Sequence, residues 1–231
     1  MSTETLILAV ETATLAGSIA IMRGDKVIAG SNGDPAISHS NTLLADLDQL
    51  LTETKITLAE IDLFTVAAGP GSFTGLRIGI ATTKALAATL ARPTAAIPTL
   101  QAIALAGGPS DASVALLPAG RGEVFAQLFS VSNHGAVTAR DEASHIAPAK
   151  MFDKYGSLEK LLWCGEGAIA QRELIESTGA GKQWRIAPRP QNLARHVAAL
   201  ALRNFRAGQL VAPDALQAIY VRPSDAELKV S

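Results

Sequence analysis

The sequence has little of three features that mark particular protein classes: cysteine, long apolar runs and aromatic side chains. Its single cysteine, Cys164, excludes a disulfide framework and a cysteine-rich zinc module, and it is typical of a reducing compartment. No uncharged apolar run reaches the roughly 18–20 residues that a membrane-spanning helix needs. The first residues lack the basic region of a secretory signal. We therefore expect a cytoplasmic protein with no membrane partner.

Charge is nearly balanced, because 20 Lys and Arg residues stand against 21 Asp and Glu residues. The net charge of −1 excludes a chain that binds polyanions through its overall charge. Aromatic residues are only 4% of the chain, but the hydrophobic fraction of 48% rules out disorder as its overall state. A length of 231 residues suits one large domain or two small lobes.

One local excess of positive charge lies between Lys182 and Arg206, where six basic residues and no acidic residue occur. A solvated helix face explains such a run, and so does a patch that meets phosphate groups. If the second explanation holds, the candidate nucleic-acid contacts are Arg195, Arg203 and Arg206.

Strand and helix patterns alternate along the chain and predict an α/β architecture of two similar lobes. Residues 6–22 and 114–129 share one plan, a strand, a turn of small residues and a second strand, which suggests an internal repeat. Turn-forming residues at 107–111 mark the boundary, so the lobes are predicted at 1–106 and 107–231. We expect the last helix, at about 192–207, to pack back on the first lobe.

The strongest local motif is GPGSFTGLRIG, residues 69–79, between a predicted strand and a predicted helix. A glycine-rich turn at a helix start exposes backbone N–H groups, which suits a phosphate or carboxylate. The motif nevertheless lacks the lysine of a Walker loop and the glycine spacing of the dinucleotide fingerprint and the nucleophile elbow. An anion cradle, with Gly69, Gly71 and Ser72 as its candidates, and a purely structural turn both remain open.

Within that motif, Gly71, Gly75 and Gly79 recur every four residues and form one bare stripe along the helix. Glycine in a helix interior costs about 0.5–1 kcal/mol relative to alanine, so a close approach of another backbone is expected there. That backbone belongs either to the same fold or to a partner helix across an interface.

The end of the first strand carries Glu11 and Thr12. An acidic residue at a strand end faces the crevice of an open α/β sheet, where it can contact a nucleotide or a metal-bound water. Local hydrogen bonds within a hairpin are the alternative role for Glu11.

The sequence offers little for metal-dependent or covalent catalysis. The four histidines are scattered, and no pair stands four residues apart on a helix, so no metal site is predicted. Neither Cys164 nor Ser72 lies in a local signature of a catalytic nucleophile.

Three strings together resemble a known family: ILAVETATLAGSIAI near the start, HSNTLLADLDQLL, and above all GPGSFTGLRIGIATTKALA. They are similar to the TsaB (YeaZ) family, bacterial proteins of threonylcarbamoyladenosine biosynthesis. The strings GRGEVFAQL and AIYVRP further along support the resemblance, which covers nearly the whole chain.

The resemblance implies an actin/hexokinase/Hsp70-like fold (ASKHA): two lobes, each with a mixed sheet flanked by helices. It implies a role in modifying the adenosine next to the anticodon of tRNAs that read codons beginning with A. TsaB is there a non-catalytic partner of its paralogue TsaD, which holds the metal on paired histidines; this chain has His39 alone in the corresponding helix. The ATPase TsaE docks on the pair, and TsaB also pairs with itself.

The resemblance places the interface on the first two helices. The candidate interface residues are Leu43, Leu47, Leu50, Leu51, Gly71, Gly75, Ile78, Gly79 and Thr82. ATP or ADP is expected only at the interface of the complex, and tRNA only through the complex.

This chain departs from the family pattern at two places. Glu11 stands in place of Asp, and Pro118-Ala119-Gly120-Arg121 stands in place of an Asp-Ala-Arg string. Both departures argue against ATP hydrolysis by this chain alone. The alternative hypothesis is a stand-alone enzyme of the same superfamily, a phosphotransferase or a peptidase-like hydrolase.

Overall fold

The computed structural model describes residues 4–36 and 39–221, and the chain divides into two compact units. The first unit contains Met1–Thr99 and Asn192–Ile219, and the second contains Leu100–Gln191 and Tyr220–Ser231. The boundary therefore precedes the one that we placed at residue 107. The chain also returns to the first unit at Asn192, which places the last long helix in that unit.

The first unit contains a mixed sheet with the strand order β3-β2-β1-β4-β5. Strands β1, β2 and β3 are consecutive and antiparallel, whereas β4 runs parallel to β1 and β5 parallel to β4. Strand β1 reads LILAVE and is buried along its whole length, as expected of a central strand covered on both faces. The elements are β1 (Leu6–Glu11), β2 (Ser18–Arg23), β3 (Lys26–Asn32), α1 (His39–Thr54), β4 (Leu63–Gly69), α2 (Phe73–Thr89) and β5 (Thr94–Pro98), with the last helix at Ala194–Arg206.

The second unit repeats this topology. Its sheet has the strand order β11-β10-β6-β7-β8, with β9 also paired to β7, and here too the first strand lies between its hairpin partner and a parallel strand. Trp163, Tyr155 and Met151 are fully enclosed at the centre of its core. The elements are α3 (Thr99–Gly107), β6 (Ser110–Gly120), β7 (Glu123–Val131), β8 (Val137–Ala139), β9 (Ser144–Ile146), α4 (Pro148–Tyr155), β10 (Lys160–Cys164), α5 (Glu166–Ala170), α6 (Arg172–Thr178) and β11 (Gln183–Ile186); α7 is the helix Ala194–Arg206.

The two hairpins of the predicted repeat are present, since β1 with β2 and β6 with β7 are antiparallel pairs in equivalent positions. One strand was not predicted. Strand β5 has a short alanine-rich sequence without strand periodicity. In the second unit, two short helices, α5 and α6, are separated at Gln171.

Within the described ranges, no helix combines the length and the apolar character required to cross a bilayer.

Candidate functional site

Glu11, the last residue of β1, is a buried structural acid. Only 1% of its surface is exposed, and its carboxylate accepts three hydrogen bonds from nearby residues. The Thr14 N–H donates to Oε1 at 2.7 Å, the Thr14 hydroxyl donates to Oε2 at 2.9 Å, and the Ser18 hydroxyl donates to Oε2 at 3.2 Å. These bonds close the turn between β1 and β2 around the carboxylate.

This environment bears on the two roles that the sequence left open for Glu11. Burial raises the pKa of its carboxyl above the ordinary value, while the hydrogen bonds from Thr14 and Ser18 act in the opposite direction. The local hydrogen-bonding role of Glu11 is therefore the observed one, and its contact with a nucleotide or anion stays a prediction.

Thr12 and Ala13, the next two residues, lie against the glycine stripe of α2. The Thr12 hydroxyl donates to the Gly75 carbonyl oxygen at 2.7 Å. A Cβ atom on Gly75 would lie 1.9 Å from the Thr12 carbonyl oxygen, and one on Gly79 would lie 2.2 Å from the Thr12 hydroxyl oxygen. On Gly71 it would lie 2.6 Å from the Ala13 carbonyl oxygen. The stripe is bare because the strand-end turn of the same chain occupies the space.

The prediction that Gly71, Gly75 and Gly79 face a partner helix is therefore wrong, since their face is covered by the chain's own backbone. The anion cradle is largely filled as well. Thr12 is buried, and Gly69 lies against the backbone of Ile219, whose N–H donates to the Ala68 carbonyl oxygen at 2.7 Å.

Ser72 is exposed, but its hydroxyl is used as the cap of α2. It accepts a hydrogen bond from the Gly75 N–H at 3.2 Å, and the Ser72 N–H donates to the Ala13 carbonyl oxygen at 2.9 Å. The glycine-rich motif thus acts as a structural turn. It connects β4 to α2 and packs against the turn that follows β1.

Helix α1 turns most of its predicted interface leucines inward. Leu43, Leu47 and Leu50 are buried in the core of their own unit, so the prediction that these three contact a partner is wrong. Leu51 is half-buried. Leu44, which was not predicted, is 67% exposed, at the edge of the buried leucine face of the helix.

The outward face of α2 carries mostly small side chains. Ile78 and Thr82 are half-buried, so they stay candidate interface residues. The sequence analysis missed Ala81 and Ala85, which are exposed beside them. Their spacing from Thr74 onward, at every third or fourth position, could have shown this second stripe.

Sequence comparisons find clear relatives. The family model described as TsaD, tRNA N6-adenosine threonylcarbamoyltransferase, matches residues 35–210. The tRNA threonylcarbamoyladenosine biosynthesis protein TsaB of Bacillus subtilis is 33% identical over 195 residues, which cover 81% of this chain and 85% of that protein. The chain belongs to the TsaB family. TsaB of Escherichia coli is 26% identical over 94% of both chains.

The fold of this TsaB-family chain also matches that of a solved relative. YeaZ from Pseudomonas aeruginosa superposes with a TM-score of 0.77 at 21% identity, over 94% of this chain and 99% of that one. The predicted fold class is confirmed: it is an α/β fold of the actin/hexokinase/Hsp70-like type, with mixed sheets flanked by helices.

The basic run of this TsaB-family chain is divided between the two units. Its first half lies in the second unit, where the Lys182 ammonium contacts the Gly156 carbonyl oxygen and Arg189 pairs with Glu166 at 3.6 Å. In α7, the Arg206 guanidinium pairs with Asp25 at 2.9 Å. Nucleic-acid contact by Arg195, Arg203 and Arg206 stays a prediction.

Among residues 4–36 and 39–221, no three His, Cys, Asp or Glu side chains form a group that could hold a metal ion. The side chain of His39 lies outside the described residues, as do Ser38 and the last two residues of the AIYVRP string.

Proposed function

We propose that this chain is the non-catalytic subunit that supports a TsaD-type transferase in the threonylcarbamoylation of the adenosine next to the anticodon. Membership of the TsaB family supports this role, because its named members belong to that biosynthetic pathway. A sequence feature supports it as well. Helix α1 begins at His39 and contains no second histidine, whereas the resemblance implies a histidine pair in TsaD.

The observation that carries the proposal is the outward face of α2. Ala81, Ala85 and Ala88 are exposed there at helical spacing, next to half-buried Ile78 and Thr82. A face of such small side chains lets another helix approach closely, with little side-chain entropy to lose. Leu44 of α1 adds an exposed leucine that a partner would remove from water.

The charges of the two helices support helix pairing between chains. Helix α1 contains three acidic residues, Asp46, Asp48 and Glu53, and no lysine or arginine. Helix α2 contains Arg77 and Lys84 and no acidic residue. A partner that presents the same arrangement, turned around, would set opposite charges against each other at the rim of the contact.

The remaining parts of the proposal rest on the family resemblance. A second copy of this chain would use the same face when TsaD is absent, and TsaE, ATP or ADP and tRNA would bind only to the assembled complex. Arg195, Arg203 and Arg206 are then the tRNA contacts to test, and the cytoplasm is the expected compartment.

Light scattering of the chain alone and with the TsaD of its organism tests the proposal. We expect a mass near twice 23.9 kDa for the chain alone and a one-to-one complex in the mixture. A chain that remains monomeric with and without TsaD would contradict it. Stoichiometric bound metal or steady ATP hydrolysis by the purified chain would favour the stand-alone enzyme instead.

A matched pair of variants tests the face itself. Ala81→Glu places a charge in the middle of the small-residue face and should weaken TsaD binding by about tenfold or more, because the charge would be buried without a partner. Ala149→Glu makes the same change at an exposed alanine of α4, in the other unit, and should leave binding unchanged. Equal affinity of both variants would place the interface elsewhere.

A further inference from the structure

The point at which the chain re-enters the first unit is held by one side chain. The Asn192 amide nitrogen lies 3.2 Å from the Ile19 carbonyl oxygen and 3.0 Å from the Ser31 carbonyl oxygen, so it donates to both β2 and β3. Its carbonyl oxygen accepts a hydrogen bond from the Arg195 N–H at 3.1 Å. Asn192 therefore caps the start of α7 and ties it to the sheet.

Ser18 connects this start of α7 to the buried Glu11. The Ala194 N–H, the first of the helix, donates to the Ser18 hydroxyl oxygen at 3.0 Å, and the Ser18 hydroxyl donates to Glu11. Ser18 has one proton to give, so it cannot serve the carboxylate and another acceptor at once. Within the described part of the chain, no ion pair to Glu11 forms, so hydrogen bonds alone hold its carboxylate.

The same carboxylate holds the turn that lies against α2. Glu11 binds Thr14, and the Thr14 hydroxyl accepts from the Gly17 N–H at 3.3 Å. Thr12 and Ala13, inside this turn, make the contacts with Gly75 and Ser72 described above. Hydrogen bonds thus connect the start of α7 to Ser18, Glu11 and Thr14, and the backbone of the turn connects these residues to the contacts of Thr12 and Ala13 with the start of α2.

We propose that Glu11, Ser18 and Asn192 form an internal latch that couples the start of α7, where the chain returns from the second unit, to the start of α2. The latch makes the turn after β1 and both helix ends respond together to a change at any one of them. This inference rests on the proposed function in one respect. When a partner binds the outward face of α2, the latch would carry that change to the start of α7, where the chain returns from the second unit.

Amide hydrogen exchange of the isolated full-length chain tests the latch without any partner. In Ser18→Ala, we expect the amides of Thr14 and Ala194 to exchange about tenfold faster or more. The Ala194 N–H loses its acceptor, and Glu11, which accepts from the Thr14 N–H, loses the bond from the Ser18 hydroxyl. The Ser72 amide should also exchange faster, although Ser18 does not contact it. Acceleration at Ala194 alone would overturn the proposal.

Asn192→Ala tests the same coupling from the other end and keeps the test valid if Ser18→Ala does not fold. Its substitution should accelerate exchange at Thr14, which Asn192 does not contact; a wild-type rate at Thr14 would overturn the proposal. Ser113→Ala is the control, a buried strand serine in the second unit whose hydroxyl has no hydrogen-bond partner among the described atoms. It should leave Thr14, Ser72 and Ala194 at their wild-type rates.

Adding TsaD separates this inference from the proposed function. If TsaD does not bind the wild-type chain, the proposed function fails, and the exchange results on the isolated chain still decide the latch. If TsaD binds, protection at Ala194 should increase in the wild-type chain and not in Ser18→Ala. Equal protection in both would overturn the transmission step.

Discussion

Replacing Gly75 by alanine tests whether the glycine stripe of α2 is truly filled from within the chain. In an ordinary helix interior this change stabilises the fold by about 0.8–1.0 kcal/mol, because alanine has the better helix propensity. In this chain the distance from the new Cβ to the Thr12 carbonyl oxygen must increase from 1.9 Å to at least 3.0 Å. That oxygen belongs to the backbone and cannot rotate away, so helix and turn must separate.

The cost of that separation exceeds the gain in helix propensity. Overpacking of this kind costs about 1–3 kcal/mol. The hydrogen bond from the Thr12 hydroxyl to the Gly75 carbonyl oxygen would be strained in addition, and such a bond contributes about 0.5–1.5 kcal/mol. We therefore expect Gly75→Ala to lower the free energy of unfolding by about 1–3 kcal/mol, measured by urea denaturation followed by circular dichroism.

A control in the same helix calibrates the propensity term. Ala85→Gly, at an exposed position, should cost about 1 kcal/mol and show that α2 follows the ordinary helix scale. The reasoning is refuted if Gly75→Ala stabilises the isolated chain. If Gly75→Ala leaves the free energy of unfolding unchanged and only weakens association with a partner chain, the glycine stripe belongs to the interface after all.

Two further predictions concern α1 and the buried acid. Leu47→Ala should lower the free energy of unfolding by about 2–5 kcal/mol, because Leu47 is 3% exposed, whereas Leu44→Ala should change it by less than about 0.5 kcal/mol; similar losses in both would contradict the burial pattern. Because burial raises the pKa of Glu11 above 4.5, folding retains a proton there, so the free energy of unfolding should fall as pH rises from 4.5 through the folded-state pKa. Glu11→Gln should remove this component in denaturation measured across pH; an unchanged pH profile would contradict it.

Much of the fold was predictable because local patterns and tertiary structure agree. The apolar run at the start of the chain predicted a buried strand, and β1 is buried at every residue. Leu43, Leu47 and Leu50 were assigned to a helix, and α1 spans His39–Thr54. Strand β5 was not predictable in this way, because TAAIP has weak strand propensity and is a strand only through its pairing with β4.

The direction in which a helix faces was harder to predict than the helix itself. Three leucines of α1 and the glycine stripe were predicted to face a partner chain, and both sets face the interior of their own unit. A bare stripe shows that something approaches closely, but its spacing does not show what approaches. Here the neighbour is the turn at Thr12 and Ala13, and Thr12 lies 63 residues before Gly75 in the chain.

The sequence alone determined the α/β pattern, the repeated strand–turn–strand units and the family, because these depend on residue order and local periodicity. Tertiary structure decided the roles of individual residues. Glu11 is a structural acid because Thr14, Ser18 and the start of α7 surround it, and Ala194 reaches Ser18 only when the chain returns after a separate unit. Contacts over such distances arise from packing of the whole unit, which no local pattern encodes.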